Sequence, residues 1–330
     1  MSKLNRILAG ILAVQLVLAV VVFWPRSAGS GAGGESLFPE LEADQIQELT
    51  LTSADGKSIK LAKRDGRWVL PEADGYPATD EQVQSLVDGL VALETGRLVA
   101  QTRASHERLQ VAEGAFERRI DFQTAGGTLH RVYLGTSPSY GTAHVRAEGQ
   151  DEVYLTSDLS AQDAGVEATS WIDTIYFSVP SEEVVAVTVE NAQGTLKFEK
   201  EGEAWTMVGL AEGETLNEGV VRSLVSRVTS VSLLRPLGQE ELDVYGMQEP
   251  KAVATIHTRS ESGGENTYVL RVGTQDTQDS SYVVKSSESP YYVQVREFSV
   301  QDLVEKGRED FLELPPTPTP AGTPEGTPGP

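Results

Sequence analysis

The chain has 330 residues, enough for two domains of ordinary size, and its 49 acidic and 27 basic side chains give a formal charge of −22. A surface of this sign repels nucleic acid and anionic lipid headgroups, so we expect no nucleic-acid partner. The sequence contains no cysteine, which excludes disulfides, thiolate metal sites, cysteine nucleophiles and a lipoprotein-type cysteine anchor.

Residues 1–26 have the pattern of a signal anchor. Lys3 and Arg6 precede an apolar run over residues 7–24, which as a helix would span about 27 Å, close to the roughly 30 Å hydrocarbon core of a bilayer. We therefore expect a single-pass membrane protein with a cytoplasmic N-terminus and an extracytoplasmic bulk. The alternative is a signal peptide that is cleaved among the small residues after Arg26, which would give a secreted protein.

Two segments of biased composition flank the part that is expected to fold. Residues 27–36 are rich in glycine, serine and alanine, as is typical of a flexible linker. Residues 315–330 contain seven prolines, four threonines and three glycines, a composition that cannot build a hydrophobic core. We expect residues 315–330 to form a disordered, extended tail.

A pattern of about 45 residues occurs twice, at 46–90 and at 184–228. Each occurrence begins with alternating apolar and polar residues, which predict a half-buried strand. A glycine-containing turn, a second strand and a tryptophan follow. The equivalent residues are Leu49 and Val187, Leu51 and Val189, and Trp68 and Trp205.

An amphipathic helix is predicted at the end of each occurrence, because apolar residues recur at i, i+3, i+4 and i+7. The two stripes are Val83, Leu86, Val87 and Leu90, and Val221, Leu224, Val225 and Val228. The later strands also recur, with Val132 and Leu134 before Gly135-Thr136 matching Leu270 and Val272 before Gly273-Thr274, and His144-Val145 matching Tyr282-Val283. We interpret this agreement as a duplication.

The expected fold class is therefore α+β. An N-terminal transmembrane helix would be followed by two tandem homologous domains, each with antiparallel β-hairpins or a meander packed on one amphipathic helix. The expected boundaries are 37–177 for the first domain, 178–183 for a joint and 184–314 for the second domain. Because Trp68 and Trp205 occupy equivalent places, we expect them to anchor two cores, and stacking on a ligand is the alternative.

The sequence predicts no catalytic, cofactor-binding or metal-binding residue. The four histidines, at 106, 130, 144 and 257, lack the spacing of a metal site and are expected at the surface or in strand packing. Adjacent carboxylates such as Asp151-Glu152 point to opposite faces of a strand, so they do not form the converging pair of a glycosidase. The sequence has no phosphate-binding loop and no nucleophile elbow.

Several short motifs resemble those of the bacterial domain-of-unknown-function family DUF4340. Asp65-Gly66-Arg67-Trp68, with Pro71 and the first helix, resembles its signature, and residues 244–250 are similar to its Tyr-Gly-Leu-x-x-Pro element. In the first copy Glu107-Arg108-Leu109 stands where that element is expected. The resemblance implies a membrane-anchored, exported α+β repeat domain, similar to proteins encoded beside ABC-type transporters and to gliding-motility-like auxiliary proteins. The resemblance to this family implies no catalytic residues.

These observations favour a non-enzymatic, membrane-tethered accessory or scaffold protein outside the cytoplasm. Its expected partners are the membrane, through the N-terminal helix, and a protein of a membrane complex such as an ABC-type exporter. The alternative is a binding module for envelope polysaccharide or peptide, which would use exposed aromatic residues such as Tyr140, Tyr291 and Tyr292. A hydrolase is the third hypothesis, and it requires carboxylates or histidines that the fold brings together.

Overall fold

The computed structural model describes residues 34–313. Strands make up 41% and helices 20% of this range, so the protein is mostly β-sheet, and the predicted antiparallel hairpins are confirmed. The expected anchor at 1–26 and the expected tail at 315–330 lie outside the described residues. Within 34–313, no helix is both long enough and apolar enough to cross a bilayer.

The strands are numbered along the chain. They are β1 (Ile46–Ser53), β2 (Ser58–Arg64), β3 (Arg67–Leu70), β4 (Tyr76–Pro77), β5 (Leu98–Ala100), β6 (Val111–Ala112), β7 (Ala115–Phe116), β8 (Arg118–Thr124), β9 (Leu129–Leu134), β10 (Ala143–Ala147), β11 (Val153–Thr156), β12 (Ile175–Ser178), β13 (Val184–Asn191), β14 (Gly194–Glu201), β15 (Ala204–Met207), β16 (Ser230–Gly238), β17 (Ala252–Arg259), β18 (Glu265–Gln275), β19 (Tyr282–Ser286) and β20 (Tyr292–Val295).

The α-helices of the described range are α1 (Asp80–Val91), α2 (Ala104–Arg108), α3 (Glu218–Val228) and α4 (Glu297–Glu305). Short 3-10 turns join them to the strands, at Ala43–Gln45, Pro71–Ala73, Ala168–Ser170, Ser181–Glu183, Asp243–Tyr245 and Arg308–Phe311.

The described chain divides into two compact units. The first unit contains residues 34–58 and 84–165, and the second contains 59–83 and 166–313. The domain boundaries drawn from the sequence, 37–177 and 184–314, stay predictions.

Each unit has its own antiparallel sheet. In the first unit the strand order is β1-β8-β9-β10-β11-β5, and β6 and β7 form a separate hairpin. In the second unit the order is β12-β16-β20-β19-β18-β17-β13-β14-β15. The second unit also contains β3 and β4 and nearly all of β2, which pair as an antiparallel meander.

The turns between strands form where the sequence supplies residues that tolerate a positive φ. In the turn from β2 to β3, Asp65 and Gly66 have φ values of 51° and 80°. Two successive positive values match the twist of the flanking strands, which is why aspartate followed by glycine is favoured there. The predicted turn at Asp65-Gly66 is confirmed.

Both predicted amphipathic helices form, and their apolar stripes are buried. The four stripe residues of α1 and the four of α3 expose almost no surface. Asn217 caps α3, because its Oδ1 accepts a hydrogen bond of 3.3 Å from the amide of Val220. The buried face of α3 packs on β15, β16 and α4, so the stripe forms part of the core of the second unit.

The strand register of the first unit recurs in the second. Residues of β1 lie opposite β8 in the same way that residues of β13 lie opposite β17, and the apolar positions of each pair are buried. The corresponding pairs are Leu49 with Phe122 and Val187 with Ile256, then Leu51 with Ile120 and Val189 with Ala254.

The two tryptophans also have matching positions. Trp68 on β3 lies opposite Lys63, and Trp205 on β15 lies opposite Lys200. Both side chains are buried, with 4% and 6% of their surface exposed. This burial in equivalent strands fits the expected role of core anchors.

The proposed sequence register is wrong by one residue after β9. Val145 pairs with Leu134 in the first unit, and Val284 pairs with Val272 in the second. Val145 therefore corresponds to Val284 and not to Val283, since Val284 lies 12 positions after Val272 whereas Val145 lies 11 positions after Leu134.

Candidate functional site

A polar groove with a volume of about 760 Å³ opens in the first unit. Five of its lining residues are serines, three carry carboxylates, and one is an aromatic residue. We call it the hydroxyl groove, and it is lined by Ser85, Glu117, Ser137, Ser139, Tyr140, Gly141 and residues 157–163.

One side of the hydroxyl groove is the loop that follows β11. Leu159 within it is buried, and the carboxylate of Asp163 accepts hydrogen bonds from the amide and hydroxyl of Ser160, at 2.8 and 2.6 Å. The hydroxyl of Thr156 donates to the carboxylate of Asp158 and accepts from its amide, both at 3.1 Å. These hydrogen bonds within the loop hold it in one conformation in the absence of a ligand.

The opposite side is the loop between β9 and β10. The hydroxyl of Thr142 donates to the carbonyl of Ser139 at 2.8 Å, and Gly141 adopts a φ of 70°, which closes a tight turn. Tyr140 lies at the tip of this turn and is 100% exposed. An aromatic ring so placed can lie flat against a ligand in the groove.

Arg118 supports the groove from β8. Its Nε and Nη2 both donate to the carbonyl of Ala161 at 3.4 Å, so the guanidinium holds the middle of the loop at 157–163. Burial lowers the pKa of Arg118, and the nearby carboxylates of Asp55 and Glu117 oppose that effect. The remaining nitrogen, Nη1, is buried and has no hydrogen-bond partner among residues 34–313.

Helix α1 approaches the same loop at Gly89. A β-carbon at that position would lie 3.0 Å from the carbonyl oxygen of Asp158 and 3.2 Å from Cδ1 of Leu159. The missing side chain therefore lets the loop pack directly on the helix. Ser85, one turn earlier on α1, lies at the edge of the groove as a result.

The groove offers many unused hydrogen-bonding groups. The hydroxyls of Ser85, Ser137 and Ser157 make no hydrogen bond to any side chain or backbone group of the described range. Each hydroxyl can donate one hydrogen bond and accept two, while ionised carboxylates only accept. The combination suits a ligand that carries several hydroxyl groups and no negative charge.

The histidines do not form a common site. His106 and His144 are buried and bonded to the carbonyl of Asp151 and the hydroxyl of Thr136, both at 2.9 Å. The ring of His130 stacks on Phe122, and Nδ1 of His257 lies 3.0 Å from the Thr267 hydroxyl. Within residues 34–313, no cluster of three or more histidine, aspartate or glutamate side chains is arranged to hold a metal ion.

The expectation of three exposed tyrosines is right only for Tyr140. Tyr291 is half-buried, and its ring packs edge-on against Tyr76, with 4.8 Å between ring centroids. Tyr292 is only 6% exposed, because its ring packs on Tyr245 and its hydroxyl donates to Glu241 at 2.7 Å. The expectation that Tyr292 is exposed was wrong.

A comparison with protein families identifies one match. The profile of the family described as "Domain of unknown function (DUF4340)" matches residues 68–250, more than half of the chain. The chain belongs to the DUF4340 family. No curated protein and no solved structure matched this chain.

The matched region of this DUF4340 protein ends in the element Tyr245-Gly246-Met247, and the structure shows its counterpart in the first unit. Gly246 has a φ of 65°, and the carbonyl oxygen of the preceding Tyr245 would lie 1.9 Å from a β-carbon at Gly273 on β18. Gln110 has a φ of 54°, and the carbonyl oxygen of the preceding Leu109 would lie 2.0 Å from a β-carbon at Gly135, directly after β9. The counterpart is therefore Leu109-Gln110-Val111. The sequence alignment that placed Glu107-Arg108-Leu109 there was two residues out of register, because glutamine replaces the glycine.

Two buried tyrosines give the DUF4340 protein a predicted sensitivity to alkali. Burial raises the pKa of Tyr76 to about 12, and burial together with the hydrogen bond to Glu241 raises the pKa of Tyr292 to about 12. The ordinary value is 10.0. A tyrosine whose pKa is higher in the folded than in the unfolded chain contributes to the free energy of unfolding. This contribution is fully present below pH 10 and is lost as the pH rises towards 12.

We therefore expect the thermal midpoint to fall between pH 10 and pH 12, and to fall less in Tyr292→Phe. Differential scanning calorimetry over this range measures the effect, and Tyr140→Phe, at a fully exposed ring, is the matched control. Equal alkaline slopes for Tyr292→Phe and the unmodified chain would contradict the assignment.

Proposed function

We propose that this DUF4340 protein is an extracytoplasmic binding protein that holds a neutral polysaccharide of the cell envelope in the hydroxyl groove. The observation that carries the proposal is the convergence of five serines, three carboxylates and the fully exposed Tyr140 on one groove of about 760 Å³. Groove volumes of this size accommodate ligands of a few sugar rings.

The chemistry of the groove favours a sugar over other polymers. Sugar hydroxyls can donate to carboxylates and accept from serines, so both kinds of polar lining group can bind a sugar. The flat apolar face of a sugar ring can lie on Tyr140. Nucleic acids and anionic glycans would meet Glu117, Asp158 and Asp163, in a protein whose formal charge is −22.

The Tyr140→Ala variant tests this proposal. We expect it to weaken binding to a neutral envelope oligosaccharide about tenfold, the loss that corresponds to one aromatic contact. The full-length protein in detergent would be screened on a glycan array and titrated by calorimetry with the best neutral oligosaccharide. Because the Tyr140 side chain is fully exposed among residues 34–313, the thermal midpoint should not change.

Leu129→Ala is the matched control, since Leu129 is also a large exposed side chain of the first unit but lies outside the groove. Binding that Leu129→Ala weakens as much as Tyr140→Ala would count against the groove. Release of shortened oligosaccharide during the titration would favour the hydrolase hypothesis, and capture of basic peptides alone would favour a peptide-binding module.

The binding role is part of a wider proposal about the whole chain. Residues 1–26 anchor the protein in the membrane, and the rest acts outside the cytoplasm as a non-enzymatic accessory component. The folded part consists of two tandem homologous α+β domains, each with one amphipathic helix. The recurrence of strand register, of buried tryptophans and of the Leu109-Gln110-Val111 arrangement supports the duplication.

A scaffold for a membrane complex, such as an ABC-type exporter, is the second candidate, and one observation favours it. Strand β5 is the last strand of the first unit's sheet and pairs only with β11 among the described strands. Its side chains Leu98 and Val99 are 48% and 44% exposed. An exposed apolar edge strand is able to pair with an extended segment of another protein.

Site-specific crosslinking tests the scaffold candidate, because the chain has no cysteine of its own. We expect Val99→Cys to give a crosslink to a membrane protein in native membranes, and Val208→Cys, which is 52% exposed on the second unit, to give none. Identical crosslinks from both positions, or none from either, would contradict docking at β5.

A further inference from the structure

The second unit contains a basic pocket that the proposed function does not use. Its volume is about 330 Å³, and it is lined by Val269, Arg271, Lys285, Ser286, Ser287 and Tyr292. Arg271 on β18 lies directly opposite Lys285 on β19. We call this the Arg271–Lys285 pocket.

The first unit shows what the basic residue on β19 does for the fold. Arg146 stands at the place of Lys285, and its Nη1 donates to the carbonyls of Ala147 and Gln150, at 3.3 and 3.2 Å. Lys285 donates in the same way to the carbonyls of Ser286 and Ser289. Each basic side chain therefore holds the turn that follows its own strand.

The residue opposite differs between the units. In the first unit Tyr133 lies opposite Arg146, and the guanidinium carbon lies 4.5 Å from the tyrosine ring centroid, a favourable cation–π contact. In the second unit the opposite residue is Arg271, so two positive charges face each other. Like charges directly opposite on neighbouring strands are destabilising.

The protein relieves this repulsion only in part. Arg271 is exposed and makes no hydrogen bond or ion pair with any residue from 34 to 313. Glu241 contributes one negative charge nearby, which offsets only one of the two positive charges. Burial, and after it repulsion from Arg271, lowers the pKa of Lys285. An anion bound in the pocket would neutralise both cations.

We propose that the Arg271–Lys285 pocket binds the phosphate group of a small phosphorylated ligand. The guanidinium of Arg271 presents a planar fork that matches two phosphate oxygens, and the ammonium of Lys285 supplies the second positive charge. The hydroxyl of Ser287 lines the same pocket; it donates to the carboxylate of Glu288 at 3.2 Å and would turn from that carboxylate to a phosphate oxygen when the ligand binds. A dianion suits two opposed cations better than a monoanionic carboxylate does.

Arg271→Gln tests the proposal without loss of a structural contact. The full-length protein in neutral detergent would be titrated calorimetrically with inorganic phosphate and with glycerol 3-phosphate, in chloride buffer of constant ionic strength. We expect Arg271→Gln to weaken phosphate binding at least about tenfold. Without phosphate, its thermal midpoint should equal or exceed that of the unmodified chain, since a like-charge pair is removed.

Arg259→Gln is the matched control, because Arg259 is an exposed arginine of the same β17–β18 hairpin and pairs with Glu265 outside the pocket. It should bind phosphate as the unmodified chain does. Equal loss in both variants, unchanged binding in Arg271→Gln, or binding of succinate without binding of phosphate would overturn the proposal.

A repeat of the titration with phosphatidylglycerol in the micelles separates two sources of the phosphate group. Unchanged phosphate binding would identify a soluble phosphate ester as the ligand. If phosphatidylglycerol weakens phosphate binding, and this competition is absent in Arg271→Gln, the ligand is a lipid headgroup phosphate in the same pocket.

Discussion

Alanine in place of Gly273 is expected to destabilise the second unit by about 3 kcal/mol or more, the upper range for a side chain forced into packed surroundings. A β-carbon at Gly273 would lie 1.9 Å from the carbonyl oxygen of Tyr245 and 3.1 Å from the Cε of Met247. Because the closer atom belongs to the backbone, no side-chain rotation can relieve the overlap.

The same substitution at Gly135 should have a similar effect on the first unit. A β-carbon there would lie 2.0 Å from the carbonyl oxygen of Leu109 and 2.6 Å from that of Gln110. Gly273 lies near the end of β18 and Gly135 directly follows β9, and both allow a neighbouring loop to pass at backbone distance. The close approach is thus a property of the architecture of each unit.

Urea unfolding followed by circular dichroism measures both effects. Gly114→Ala is the control, since no atom lies within 4 Å of a β-carbon at that position and its backbone is not left-handed. We expect its free energy of unfolding to change by less than about 0.5 kcal/mol. If Gly273→Ala and Gly114→Ala unfolded at the same urea concentration, the crossing of loop and strand would be disproved.

Trp68→Ala and Trp205→Ala should each reduce the free energy of unfolding by about 3–5 kcal/mol, the cost of removing a large buried aromatic side chain. Both indole rings are nearly inaccessible to solvent, each on the third strand of a meander. Their truncation leaves cavities that the surrounding strands can close only in part.

The tryptophan variants also separate a core role from a ligand-binding role. We expect both to unfold at lower urea concentration, while Val208→Ala, next to the end of β15 and 52% exposed, should change little. A Trp68→Ala protein of unaltered stability that had lost binding to a sugar or peptide would show that the ring contacts a ligand.

The periodic parts of the structure could be predicted from the sequence. Alternating apolar residues identified β1 and β13, and the i, i+3, i+4, i+7 spacing identified α1 and α3, because in these segments local pattern and buried face coincide. The turn at Asp65-Gly66 could also be predicted from the sequence, since few residue pairs adopt two successive positive φ values.

Other features could not be predicted, for identifiable physical reasons. One additional residue between the paired positions of β18 and β19 moved the register by one residue, and an insertion of this kind has little effect on the apolar pattern. Gln110 adopts a left-handed conformation that sequence patterns assign to glycine or asparagine, so its correspondence with Gly246 was hidden.

No sequence motif identifies the hydroxyl groove. Its lining residues come from α1, from the residue before β8, from the loop between β9 and β10 and from the loop after β11. Each segment contributes serines or carboxylates that are common on any protein surface. The sequence signal that could have found the groove is the clustering of four serines within residues 137–160, two of them within three positions of Tyr140.

The proposed binding of envelope polysaccharide is tested most directly by hydrogen–deuterium exchange of the full-length protein with and without purified envelope polysaccharide. The predicted result is slower exchange in the loops at 136–142 and 157–163, with no change in β13–β15. Unchanged exchange in both loops at saturating polysaccharide, or protection confined to the second unit, would contradict binding in the hydroxyl groove.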